Sequence, residues 1–189
     1  MITLRTDQER QVGNDYATEI HFCRIFLEDM QSLYLLAFLL TANHEHAKQS
    51  LLAGMEDALN ERRVFTEWAR SWSRRIVIKN AIRLTAAPSA QSHEQPDRWA
   101  EAGDESPACT TISAVTQLAR FDRIIFVLTV LERCSEWECA LLLDSSARHV
   151  QRARIRALQE LPALYPATNP EDFHRATEKL QRDYERSQP

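Results

Sequence analysis

Two runs of arginine are the residues most able to do chemistry. Positions 62–85 hold Arg62, Arg63, Arg70, Arg74, Arg75, Lys79 and Arg83 against the single acid Glu67. Positions 146–160 hold Arg148, Arg152, Arg154 and Arg156 against Glu160. The 189-residue chain carries a formal net charge of −4, so both runs sit in an otherwise acidic protein. Cations clustered on a helix are the electrostatic footprint of a polyanion, because each guanidinium that neutralises a phosphate releases a counterion. Arg and Gln can also reach base edges, and an aromatic face can stack on an unpaired base. For either run alone, a merely solvated helix face is the competing reading. For Trp68 and Trp72, which share a helix face, core packing outweighs base stacking.

Other groupings carry less. His44 and His46 are two apart and point to different sides of a helix, and no H-E-x-x-H is present, so a solvated helix start is the expectation rather than a metal site. Cys134 and Cys139 have no second pair to complete a zinc site and read as packing thiols. No Ser-His-Asp or Cys-His grouping is evident, so no catalytic residue, metal or cofactor is expected. Three glycines stand where average usage would give roughly 13. Neither G-x-G-x-x-G nor a Walker A loop occurs, and a Gly-poor chain is a poor barrel or sandwich.

The elements that must position the arginines are helices. No proline lies in 1–87 or 108–161, and proline breaks helix interiors. From Asp15, residues Tyr16, Ile20, Cys23, Phe26, Met30, Leu33 and Ala37 recur at three or four and predict one long helix. Positions 41–43 predict a break. A second helix follows over about 44–60, with Ala47, Leu51, Leu52, Met55 and Leu59 inward. A third spans about 66–84, with Trp68, Trp72, Ile76, Ala81 and Leu84 packing. The segment 86–107, with three prolines, three serines and a strong acidic excess, reads as a flexible linker. The second block predicts a helix over 116–133. A Ser135-x-x-Glu138 capping box opens another, to about 143. After a turn at 144–146, Ser146 caps a last helix over about 147–160. Helix, short turn, helix is the helix-turn-helix arrangement. The apolar run 33–40 is too short for a bilayer, which needs about 20 residues. With no signal-like N-terminus, the expectation is a cytoplasmic protein without membrane insertion, its cysteines reduced.

These residues resemble a family. LARFDRIIFVLTVLE over 118–132, SEWECALLL over 135–143, HVQR over 149–152 and Arg156-Ala157 resemble region 4 of the sigma-70 family, closest to its extracytoplasmic-function type. Leu33-Tyr34, Leu39 to Thr41 and Ala47, then Trp72, Arg75-Ile76 and Asn80, resemble its region 2. The chain departs from the pattern in several places. His46-Ala-Lys48-Gln49 stands where an acidic run is usual, with Glu56 and Asp57 further on. Arg154 replaces a core leucine, and Asp144 stands where glycine is common in the turn. Aspartate tolerates the left-handed conformation better than most residues.

The resemblance implies an all-α protein of two small helical domains: region 2-like over 1–87 and a region 4-like helix-turn-helix over 113–165. A flexible linker over 88–112 would join them, and a C-terminal tail would occupy 166–189. It implies a factor that directs RNA polymerase to promoters. Promoter DNA would meet Arg148, His149, Gln151, Arg152, Arg154 and Arg156 on one helix and Arg70, Trp72, Arg74, Arg75, Lys79 and Arg83 on another. Core RNA polymerase would meet Lys48, Gln49, Leu52 and Glu56, and an anti-sigma factor is a further partner the resemblance admits. On the recognition helix, Val150, Ala153 and Ala157 should face the helix begun at Ser135. That leaves Arg148, Gln151 and Arg152 for bases, and Arg154 and Arg156 for phosphates. The alternative is a divergent helix-turn-helix regulator that binds DNA or a regulatory protein without productive polymerase docking. A helical enzyme or scaffold with another anionic partner is a third.

Overall fold

The apolar run 33–40 forms the middle of the molecule. The computed structural model describes residues 16–61, 63–86 and 107–164, together with Glu178 and Arg182. Among these residues the architecture is all-helical, with one isolated antiparallel bridge between Tyr16 and Phe65, whose rings stack at 4.9 Å. The order is α1 (Glu19–Glu28), α2 (Met30–Thr41), α3 (His44–Asn60), a 3-10 turn (Thr66–Trp68) leading into α4 (Ala69–Ala86), then α5 (Pro107–Gln117), α6 (Arg120–Phe126) with a π turn (Val127–Leu131), α7 (Glu136–Leu142) and α8 (Ala147–Leu164). Helix α2 is buried from Leu36 to Thr41 without a polar face and touches α1, α3, α4, α5 and α6. No described helix is long and apolar enough to cross a membrane.

The expected first helix is two. Asp29 ends α1 and precedes α2 at φ −99°, and its carboxylate is held by Arg70 of α4. The break rotates the apolar face. Phe22 and Phe26 are buried in α1, whereas Ile20, Met30 and Tyr16 are exposed. The break expected at 41–43 is present. Ala42 takes the left-handed conformation at φ 52°, and the Asn43 side chain caps α3 by accepting from His46 N at 2.8 Å.

Helix α3 packs on α4 through a stripe finer than its large apolar residues suggest. Ala47, Ser50, Gly54 and Ala58 are buried, while Leu52 is exposed. A Cβ on Gly54 would lie 2.8 Å from Val77 Cγ2, so only glycine lets the two backbones approach this closely. On α4, Ile76, Val77 and Ala81 are buried, but Trp68 and Trp72 are exposed, so the expected aromatic packing is absent.

The helix expected over 116–133 also breaks, at 118–119, and the expected linker ends early because α5 begins at Pro107. The remainder of the linker, 88–106, lies outside the described residues. So do the segments 1–15 and 165–177 and most of the tail beyond. One arginine of α6 spans the break, and a second ties α6 to α4. Helix ends leave carbonyls without partners. Arg123 is buried and donates to Leu40 O and Thr41 O at the end of α2, at 3.4 and 3.3 Å, and to Thr116 O and Leu118 O at the end of α5, at 3.2 and 3.3 Å. Burial, reinforced by neighbouring Arg120, pushes its pKa down to about 10. Arg120 donates to Thr85 O in the last turn of α4 at 2.6 Å. Cations at helix C-termini also complement the macrodipole. Through these contacts the two helical blocks meet, and their buried apolar side chains form one cluster.

The second block closes as its caps dictate. Ser135 and Glu138 form the reciprocal box that opens α7. Asp144 takes φ 46°, the left-handed geometry its position requires. Ser146 Oγ accepts from His149 N at 3.2 Å and starts α8. Helix α8 runs past the expected end at 160 to Leu164, with Pro162 inside its last turn.

Candidate nucleic-acid interface

The sequence-predicted cations divide into two groups. One group holds the molecule together. Arg70 pairs with Glu28 at 2.7 Å and with Asp29, tying α4 to the joint between α1 and α2. Arg74 donates from Nε and Nη2 to the two carboxylate oxygens of Glu132, at 2.7 and 2.8 Å. Burial lifts the Glu132 carboxyl above the ordinary range, against the pull of Arg74. Arg156 donates from Nε and Nη2 to both oxygens of Asp122, at 2.8 and 2.5 Å, fastening α8 to α6. Asp122 is buried while Arg156 is largely exposed, and the hydrogen bonds hold the guanidinium above its ordinary pKa.

Arg154 is intermediate. Its Nη1 lies 3.6 Å from Glu136, and its Nε is buried without a hydrogen-bond partner. A leucine-like place on α8 is thus filled by an arginine whose stem packs and whose head reaches out, as long cationic side chains do.

The other group faces outward. On α4, Trp72, Arg75, Lys79 and Arg83 recur at helical spacing and are exposed. Arg75 lies 3.8 Å from Glu138. Arg83 donates to Asn80 Oδ1 at 2.5 Å, and Asn80 Nδ2 donates to Asp57 at 2.9 Å. Asn80, which the resemblance places on a promoter-facing helix, is buried between α3 and α4. This stripe borders a cleft of about 720 Å³ between α4 and α7, whose acids Asp57, Glu61 and Glu138 offset its three cations.

On α8, Val150, Ala153 and Ala157 are buried, as the spacing predicts, and Leu161, beyond the expected end of the helix, is buried with them. Arg148, Gln151 and Arg152 are exposed, and their side chains make no hydrogen bond or ion pair among the described residues. His149 stacks on Phe121 with ring centroids 4.5 Å apart, and its Nδ1 lies 3.2 Å from Ser145 Oγ. The arrangement is an amphipathic helix laid on its neighbours with a cationic, hydrogen-bonding edge at its N-terminal end. That edge can bind phosphate and base edges.

On α3, Lys48, Gln49, Leu52 and Glu56 form one exposed face, with Lys48 3.8 Å from Glu45. The face is polar apart from Leu52. His44 departs from the expected solvated helix start. It meets Tyr34 Oη at 2.8 Å and stacks on Phe38 at 4.3 Å. No cluster of three or more His, Cys, Asp or Glu side chains suited to a metal occurs among the described residues.

Asp122, Arg120 and Arg123 are what sequence reasoning missed. All three lie in the quoted motif, yet periodicity marks only its apolar positions. The available signal was the run Arg-Phe-Asp-Arg itself, three charges inside an otherwise apolar helix. No protein family, no curated protein and no solved structure matches the chain.

Proposed function

We propose that this chain is a DNA-binding transcription factor of the sigma-like kind, a cytoplasmic protein that brings RNA polymerase to promoter DNA. The observation that carries the proposal is the form of α7 and α8. A capped helix, a turn with Asp144 at positive φ and a second capped helix present an exposed edge of Arg148, Gln151 and Arg152 that makes no hydrogen bond or ion pair among the described residues. A recognition helix needs that division, since its buried face orients it and its N-terminal residues reach the major groove. The resemblance of 118–157 to region 4 supports the same reading. The organisation as a region 2-like unit over 1–87 and a region 4-like unit over 113–165 is part of the proposal. So are the stripe Trp72, Arg75, Lys79 and Arg83 as a second DNA contact and the α3 face of Lys48, Gln49, Leu52 and Glu56 as the polymerase contact.

A second reading has the chain bind DNA without productive polymerase docking. The engagement of Arg70 and Arg74 in ion pairs within the chain favours it, because both are then withdrawn from a promoter-facing helix. Two measurements decide. Retention on duplex DNA that falls steeply with salt supports both readings, and its absence at moderate salt overturns both. Co-purification with core RNA polymerase, with transcripts initiated at enriched fragments, is expected from the first reading. DNA binding without it leaves the second.

A further inference from the structure

The start of α7 holds two cysteines in positions that its cap forces together. Ser135 is the N-cap, its hydroxyl accepting from Glu138 N while the Glu138 carboxylate accepts from Ser135 N. In a capping box of this kind, the residue before the cap packs against the fourth residue of the helix, usually as two apolar side chains. Here those residues are Cys134 and Cys139. The backbone fixes both: Cys134 N donates to Leu128 O at 2.9 Å and Cys139 N to Ser135 O at 3.0 Å. Both thiols line the cleft between α4 and α7. Cys134 is half-buried and Cys139 buried, and both are free thiols.

We propose that Cys134 and Cys139 are a peroxide-oxidisable dithiol that closes into an intramolecular disulfide across the first turn of α7. A disulfide needs side chains already directed at each other, and the two positions that flank the first turn of α7, open to one cleft, supply that. Cys134 is the attacking group, because it is the more accessible of the two. Its interaction with Cys139 also holds its thiol below the ordinary range, against the opposing effects of burial and of the Glu132 and Glu138 carboxylates. The same interaction, together with burial, pushes the Cys139 thiol up.

The Cys134 thiolate attacks one oxygen of hydrogen peroxide. The O–O bond breaks, giving the sulfenic acid of Cys134 and a hydroxide that takes a proton to become water. The sulfur of Cys139 then attacks the Cys134 sulfur. The S–O bond breaks, and the departing hydroxide takes the Cys139 proton to give a second water. Two thiols lose two electrons and one peroxide becomes two waters. The disulfide would pin the joint between the π turn, where Arg74 holds Glu132, and the helix on which α8 packs.

The test uses the full chain with Cys23→Ser and Cys109→Ser, exposed to hydrogen peroxide and then alkylated. The proposal expects a monomer that loses both alkylatable thiols, falls in mass by two hydrogens and regains both thiols with dithiothreitol. Peptide mapping of the wild-type chain is expected to show the same Cys134–Cys139 cross-link. With Cys139→Ser added, Cys134 should stop at a sulfenic acid that dimedone traps. With Cys134→Ser added instead, Cys139 should stay alkylatable. The proposal is overturned if both thiols survive peroxide that oxidises a cysteine peptide, if the cross-link forms between two chains, or if Cys134 goes straight to its sulfinic acid.

Discussion

Arg74 and Glu132, 58 positions apart, meet in a two-pronged ion pair that fastens α4 to the end of the π turn. Their side chains are only 15% and 8% exposed. Removing one partner of such a pair strands the other charge, at a cost of about 3–5 kcal/mol, whereas replacing both with apolar groups costs much less. Arg74→Ala and Glu132→Ala are therefore each expected to lower urea stability by about 3 kcal/mol. The double variant Arg74→Met, Glu132→Leu should recover most of that loss. Purely additive losses across the cycle would show that the pair contributes nothing as a pair.

Gly54 makes a second expectation. Alanine in a helix interior normally gains about 1 kcal/mol over glycine. At Gly54 the added Cβ would meet Val77 Cγ2 at 2.8 Å and the Val77 backbone Cα at 3.3 Å, and backbone cannot rotate away. Gly54→Ala should destabilise by about 1–3 kcal/mol, the usual range for overpacking. Adding Val77→Ala should relieve part of this, since it removes the nearer atom and leaves the farther one. A stabilised Gly54→Ala variant in thermal unfolding would refute the close α3–α4 contact.

Why α3 was legible in its limits and only partly in its face follows from the same glycine. Asn43 and the break before it marked the start of α3, and local chemistry is readable from sequence. The buried stripe was readable only in part: Ala47 is buried and Leu51, Met55 and Leu59 pack against the core as the spacing predicts, but Leu52 is exposed, and no apolar pattern marks Ser50, Gly54 and Ala58, which complete the stripe. The caps at Ser135, Ser146 and Asp144 were readable for the same reason as Asn43. The breaks at Asp29 and at 118–119 were not: Asp29 is held by the distant Arg70, and Arg123, which caps Thr116 O and Leu118 O, reaches in the same stroke to Leu40 O and Thr41 O of α2, contacts that no local pattern announces. Among the candidate cations, spacing separated the buried from the exposed face of α8. It gave no means to foresee that Asp122 engages Arg156 or that Glu132 engages Arg74.

The α7 capping box makes stability depend on pH with a defined sign. Hydrogen bonds from the Ser135 backbone and hydroxyl hold the Glu138 carboxyl below its ordinary range. A depressed folded pKa contributes stability that is present above the unfolded value near 4.5 and is lost as pH falls through the depressed value. Glu132 runs the opposite way. Burial raises its pKa, so its contribution is present at low pH and is lost as pH rises through the raised value. The two separate by variant: Glu138→Gln should flatten the acid limb of the stability–pH curve below about 4.5 and leave the Glu132 limb in place. Ser135→Ala should cost about 0.5–2 kcal/mol at neutral pH, as lost N-caps do. An unchanged acid limb in Glu138→Gln would mean that the box does not form in solution.

The two classes of arginine on α8 make opposite predictions. Arg152 is exposed, and its side chain makes no hydrogen bond or ion pair among the described residues. Its fold role is therefore small, and surface substitutions of that kind stay within about 0.5 kcal/mol. If α8 enters a major groove, Arg152→Ala should cost about 1–3 kcal/mol on the preferred site and relax preference at one base pair. Arg148→Ala should act alike, or lower the salt slope by about one if its contact is a phosphate. Arg156 stands differently, with both oxygens of the buried Asp122 carboxylate accepting from it. Arg156→Ala strands that carboxylate, so it should lower the urea midpoint, and any loss of DNA affinity should follow the loss of fold. Asp122→Asn separates the causes. It keeps one acceptor for Arg156, turns the other oxygen into an amide nitrogen that cannot accept, and removes the buried charge, so stability should fall less than in Arg156→Ala and DNA affinity should not drop. Anisotropy titrations on one duplex at two salt concentrations, beside urea curves for the same four variants, give both readouts. Were Arg152→Ala to destabilise the fold while leaving every DNA affinity intact, α8 would not be a recognition helix.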